Sequence, residues 1–129
     1  MKLFLDDIRE PKDCTSYMYR RIGHMNPIYL EDWVVVRNYN EFVDAVSKHI
    51  NEITHVSFDH DLSDEHYDPT MFEGQDKYNK LYDNFVEKTG YECAKWMKMF
   101  YDENNVDYPI MFVHSMNPTG AQNIINVFI

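Results

Sequence analysis

Residues 55–62 read His55-Val56-Ser57-Phe58-Asp59-His60-Asp61-Leu62. Val56 and Phe58 alternate with His55 and Ser57, the two-residue period of a short buried strand. The run then stops in three ionisable side chains. Burying an unpaired charge is costly, so Asp59, His60 and Asp61 finish a core strand at the rim of a sheet, where side chains converge on a ligand. The same pattern recurs at residues 2–9 (KLFLDDIR), where Leu3, Phe4 and Leu5 run into Asp6 and Asp7. It recurs again at residues 109–117 (PIMFVHSMN), where Ile110 to Val113 run into His114, Ser115 and Asn117.

Helical patterns separate these strands. Trp33–Val36 is a further β-branched and aromatic strand. Asn38 or Asn40 caps a helix whose apolar stripe is Phe42, Val43, Val46 and Ile50, with Glu41, Asp44 and Lys48 on the other side. A second core helix spans about 91–103, with Tyr91, Ala94, Met97 (or Trp96) and Phe100-Tyr101 inward, after a segment that Gly90 closes. Asn117 followed by Pro118 reads as an N-cap and a first helical residue, opening a last helix through Ile124, Ile125 and Phe128. The segment 12–31 has no clear period; Thr15 is a cap for a short helix to about Ile22, followed by loop. Residues 63–89 form a polar insertion holding an amphipathic helix over about 75–87. Strands alternating with helices predict an α/β fold with a parallel sheet covered on both faces. Ligands then bind outside the carboxyl ends of the strands, which gathers Asp6, Asp7, Asp59, Asp61, His114 and Ser115 at one rim.

Composition sets the bounds. A chain of 129 residues with 44% hydrophobic content predicts one globular domain, residues 1–129, with 63–89 as a lid-like insertion or a surface for a protein partner. Twelve Lys and Arg against 22 Asp and Glu give a net charge of -10. Phosphate-backbone binding needs a basic stripe, so general DNA binding is disfavoured, whereas a small phosphorylated ligand held through a metal ion is compatible. No apolar run is long enough for a membrane span, and the opening MKLFLDD reads as a strand rather than a signal peptide. Cys14 and Cys93 lie far apart, with no metal-ligand spacing; a reducing, cytoplasmic setting is the expectation.

Carboxylates as close as Asp6, Asp7 and Asp59 repel unless a cation or a proton lies between them. Hard oxygen ligands in this number suit Mg²⁺ or Mn²⁺, with substrate phosphate oxygens completing the coordination. Successive strand side chains point to opposite faces, so Asp7 is expected to touch the metal directly and Asp6 to act through water. Capping and solvation at strand ends would use the same acidic residues. His60 and His114 are the candidates for general acid and base, because imidazole titrates near neutrality; a metal-ligand or rim role fits either as well. Ser115, Asn117 and the amides after Pro118 make an anion site at a helix N-terminus, with Gly120 allowing close approach to the backbone. Ordinary capping by Asn117 is compatible with it. Arg9 either clamps a phosphate or neutralises Asp6.

LDDIREP near the start, FDHDL, GYECAKWM and VHSMNPTG together resemble the cyclic-phosphate processing receiver-like domain family (cREC), a divergent relative of response-regulator receivers. The resemblance covers the strands and the last two helices. It implies a receiver-like (flavodoxin-like) three-layer sandwich with a short four-stranded sheet of order 2-1-3-4, without the fifth strand. Asp6 and Asp7 then match the acidic metal-binding pair and Asp59 the phospho-accepting aspartate, while Asp61 contributes only its backbone carbonyl. The last-strand lysine of receivers has no counterpart, which counts against phosphorelay signalling. The implied activity is metal-dependent phosphoesterase-like processing of a nucleotide or RNA end bearing a cyclic phosphate. A non-catalytic binding module and a receiver-type phospho-acceptor are the alternatives.

Overall fold

The computed structural model describes residues 1–15, 27–62 and 88–129. The expected helix over 75–87, the lid-like insertion and most of the expected helix to residue 22 lie outside those residues. Four strands, β1 (Lys2–Leu5), β2 (Val34–Val36), β3 (His55–Phe58) and β4 (Ile110–Val113), form one sheet of order β2-β1-β3-β4. Every neighbouring pair is parallel. β1 and β3 are central and almost wholly buried, whereas β2 and β4 are the partly exposed edges. The expected order and the parallel arrangement are both observed.

Among the described residues three α-helices follow strands: α1 (Tyr39–His49), α2 (Gly90–Glu103) and α3 (Pro118–Val127). Each starts where a side chain satisfies a free backbone N–H. Asn38 accepts from Glu41 N, Thr89 from Glu92 N and Asn117 from Gly120 N. Of the two expected caps of α1, Asn38 is the one used. Leu3, Leu5, Val56 and Phe58 face these helices in one cluster with Phe42, Val46, Ala94, Met97, Tyr101 and Ile124. Burying each large apolar side chain there contributes about 1.5–3 kcal/mol. On the other face Phe4 packs with Cys14 and with Tyr29 from the 3-10 turn Pro27–Leu30, backed by Trp33 and Val35. Among the described residues no helix is long and apolar enough to cross a membrane.

Register places the site. Leu5, Phe58 and Val113 are aligned across β1, β3 and β4. The ladder continues one residue further, because Asp59 N donates to Leu5 O at 2.9 Å and His114 N donates to Phe58 O at 3.0 Å. Asp6 N donates to Val36 O at 3.1 Å on the other side. Asp6, Asp59 and His114 are therefore side by side at the carboxyl edge of the sheet.

Candidate functional site

An open cleft of about 230 Å³ lies at that edge, lined by Asp6, Asp7, Ile8, Arg9, Asp59, Asp61 and Met116. Four carboxylates and one guanidinium thus share it. Asp6 is fully engaged. Its Oδ1 accepts from the backbone N–H of Ile8 at 2.9 Å and of Arg9 at 2.8 Å, and its Oδ2 accepts from Arg9 Nε at 2.8 Å and His114 Nε2 at 3.1 Å. Burial alone would raise its pKa, but these donors and the charge of Arg9 outweigh burial and hold it at about 2.

Asp7 and Asp59 are in the opposite condition. Burial, and then the charge of Asp6, push Asp7 up to about 6 and Asp59 up to about 8. Asp59 Oδ1 accepts from His60 N at 2.9 Å and meets Arg9 Nη2 at 3.2 Å. Its Oδ2, like Oδ1 of Asp7, is buried with no hydrogen-bond partner. A buried oxygen without a donor is expensive, and a cation is one group that would satisfy both. Asp6, Asp59 and His114 also offer atoms lying within 4.8 Å of one another. Within that trio Asp6 and His114 already bond each other, which leaves Asp59 as its open member.

Arg9 bridges Asp6 and Asp59, the neutralising geometry rather than a free phosphate clamp. Arg37 holds the same loop from behind, its Nη1 donating to the carbonyls of Asp6 at 3.2 Å and Arg9 at 2.7 Å. His114 is buried and stacked on Phe4 with ring centroids 4.3 Å apart. Burial lowers its pKa against the pull of Asp6. Both its ring nitrogens are engaged, with Ser57 and with Asp6. His60 is buried too, its Nδ1 lying 2.9 Å from Asp61 Oδ1. Neither histidine is among the residues that line the cleft.

Ser115 accepts from Asn117 N at 3.1 Å and Asn117 accepts from Gly120 N at 3.0 Å, so both side chains cap the start of α3, as expected of Asn117. Asn117 Nδ2 reaches Asp61 at 3.4 Å. Asp61 forms part of the cleft wall, and its carboxylate takes His60 and Asn117.

Three residues escape the sequence reading. Tyr29 and Ser57 stand behind His114, and Gly90 stands behind Asp59. Gly90 opens α2, and its N–H donates to His60 O at 2.8 Å. A Cβ at Gly90 would lie 1.8 Å from the Asp59 carbonyl oxygen, so only glycine lets the helix start this close. The signal for it was the Thr89 cap immediately before.

A parallel β2-β1-β3-β4 sheet with carboxylates collected at its carboxyl edge defines a receiver-like α/β domain. The chain belongs to the cyclic-phosphate processing receiver domain family, whose model matches residues 1–128. No curated protein and no solved structure gives a significant match.

Proposed function

We propose that the cleft holds one divalent cation, Mg²⁺ or Mn²⁺, between Asp7 and Asp59, and that the protein is a phosphoesterase acting on a small phosphate ester, a nucleotide or RNA end with a cyclic phosphate. One observation carries this reading: two buried carboxylate oxygens, Asp7 Oδ1 and Asp59 Oδ2, have no partner in a cleft where the neighbouring Asp6 carboxylate is saturated. An all-oxygen donor pair beside an open cleft suits a hard cation that keeps waters and takes phosphate oxygens. The bound cation would supply positive charge to a phosphoryl group that four carboxylates otherwise repel. The family's description, cyclic-phosphate processing, supports the substrate class.

The chain's own groups divide the remaining work. Asp6 orients Arg9, and Arg9 keeps Asp59 turned to the cleft. His60, through Asp61, would take the proton of the water that attacks phosphorus and return it to the ester oxygen that leaves; His114 acts through Asp6. Ser115, Asn117 and Gly120 serve the phosphate indirectly, by holding the Asp61 side of the wall.

The test is incubation with 2′,3′- and 3′,5′-cyclic nucleotides, with and without Mn²⁺ or Mg²⁺, followed by phosphorus NMR. Metal-dependent monoester formation, lost in Asp59→Asn, is expected. Absence of turnover with every nucleotide and metal overturns the enzyme reading; tight binding without product identifies a binding module instead.

A further inference from the structure

Behind the cleft runs a buried polar chain. The Tyr29 hydroxyl lies 2.8 Å from Ser57 Oγ, Ser57 Oγ lies 2.7 Å from His114 Nδ1, and His114 Nε2 lies 3.1 Å from Asp6 Oδ2. All four residues are buried. They come from four separate elements: the 3-10 turn, the middle of β3, the end of β4 and the end of β1.

The protons in this chain have one consistent arrangement. Asp6 Oδ2 also accepts from Arg9 Nε, and an ionised carboxylate only accepts. His114 Nε2 must then carry the ring proton. The neutral ring presents a bare Nδ1, which takes the single hydroxyl proton of Ser57. Ser57 Oγ in turn accepts from Tyr29. The reverse order needs a protonated ring and leaves the Tyr29 proton without an acceptor among the described residues. Stacking on Phe4, with 7° between the ring planes, fixes the plane of the imidazole. A half-turn flip about the Cβ–Cγ bond would preserve the stacking but put ring carbons where the two nitrogens stand, so the bonds to Ser57 and Asp6 select the orientation of the ring.

Replacing a buried polar network by well-packed apolar residues is often neutral for stability. What the network adds is orientation. We propose that Tyr29 and Ser57 are positioning residues for the acidic cleft: they hold His114 as its Nε2–H tautomer, which keeps Asp6 turned to Arg9 and Arg9 across Asp59. The proposal rests on the reading of the cleft as a cation site.

Two measurements on the full chain separate the proposal from that reading. Long-range ¹H–¹⁵N spectra of histidine-labelled protein without metal, with His114 assigned through His114→Gln, report the tautomer. Calorimetric Mn²⁺ titrations of wild type, Ser57→Ala, Ser57→Thr and Tyr29→Phe report the cleft. Wild type is expected to show a protonated Nε2 and a hydrogen-bonded, unprotonated Nδ1. Ser57→Ala is expected to shift the Nδ1 signal and weaken Mn²⁺ binding by roughly 10–100-fold, as loss of a group supporting metal ligands does. Ser57→Thr restores both, and Tyr29→Phe costs roughly 2–10-fold, the scale of one hydrogen bond. A wild-type ring protonated on Nδ1 overturns the proposal, and so does unchanged Mn²⁺ affinity in folded Ser57→Ala. Should Ser57→Ala fail to fold, unchanged affinity in Tyr29→Phe is decisive against it. An Nε2–H ring in a wild-type protein that binds no Mn²⁺ overturns the cation reading, and the positioning role with it.

Discussion

The two faces of the sheet are built to different ends. Under the helices, Leu3, Leu5, Val56 and Phe58 meet Phe42, Val46, Met97 and Ile124 in an apolar layer. On the other face the alternate residues of the same strands, Phe4 and Ser57, meet Tyr29 and His114, and the contacts are ring stacking and hydrogen bonds. A single residue of register thus separates a face that stabilises the fold from one that orients a carboxylate. Both converge at the strand ends, where Asp6 is saturated with donors and Asp59 is left with an open oxygen. Of the four donors that saturate Asp6, the polar face supplies His114, and the loop after β1 supplies the other three.

Substitutions sharpen or break that division. The largest effect is expected in the helical face: Phe42→Ala, at a fully buried ring against Phe58 and Trp96, should destabilise by about 3–5 kcal/mol in urea unfolding. Cation affinity without denaturant should stay as in wild type; a parallel loss of affinity would mean that the faces are not separable. Gly90→Ala comes next, because its Cβ collides with the Asp59 carbonyl. It should cost about 3 kcal/mol and, unlike Phe42→Ala, also weaken cation binding. Stability loss with full affinity would remove Gly90 from the support of Asp59.

The last of these effects is a pH dependence. Asp59 at about 8 and Asp7 at about 6 both stand above the unfolded carboxyl value of about 4. The folded protein holds those protons more tightly than the unfolded chain, so their contribution is most favourable below about pH 4 and is lost as pH rises to 8. Asp6, at about 2, has the opposite sign, and its contribution is lost only as pH falls below 4. Without metal, melting temperature should fall between pH 5 and pH 8, by about 5 °C or more on the scale of a domain this size. Mg²⁺ or the Asp59→Asn substitution should flatten that slope. A metal-free melting temperature that rises over this interval, or a slope that Asp59→Asn does not reduce, would contradict the burial of an unsatisfied carboxylate.

Much of this was legible in the sequence, and the limits have physical causes. Three apolar runs ending in acidic or imidazole side chains announce strands with a common rim, and the parallel register then aligns Asp6, Asp59 and His114 without further information. The cap Asn117 follows from residue type and spacing, whereas Asn38 and Asn40 are alike by type and only the structure selects Asn38. Where Asp59, His60 and Asp61 point could not be read, because strand alternation ends with the strand and the turn into the next segment sets each direction. His60 therefore bonds Asp61 behind the wall that Asp61 itself helps to form. Ser57 reads as a small residue in a buried strand; its partners, 28 and 57 residues away along the chain, leave no local trace. Tyr29 lies in a segment without periodicity, where only tertiary contact assigns a role.

Calorimetric titration of the metal-free protein with Mg²⁺ and Mn²⁺, alongside Asp7→Asn and Asp59→Asn, tests the cleft most directly. One cation per chain is expected, with protons released on binding at neutral pH and with binding abolished by either substitution. No binding by the wild-type protein, or binding that survives both substitutions, would contradict a cation held between Asp7 and Asp59.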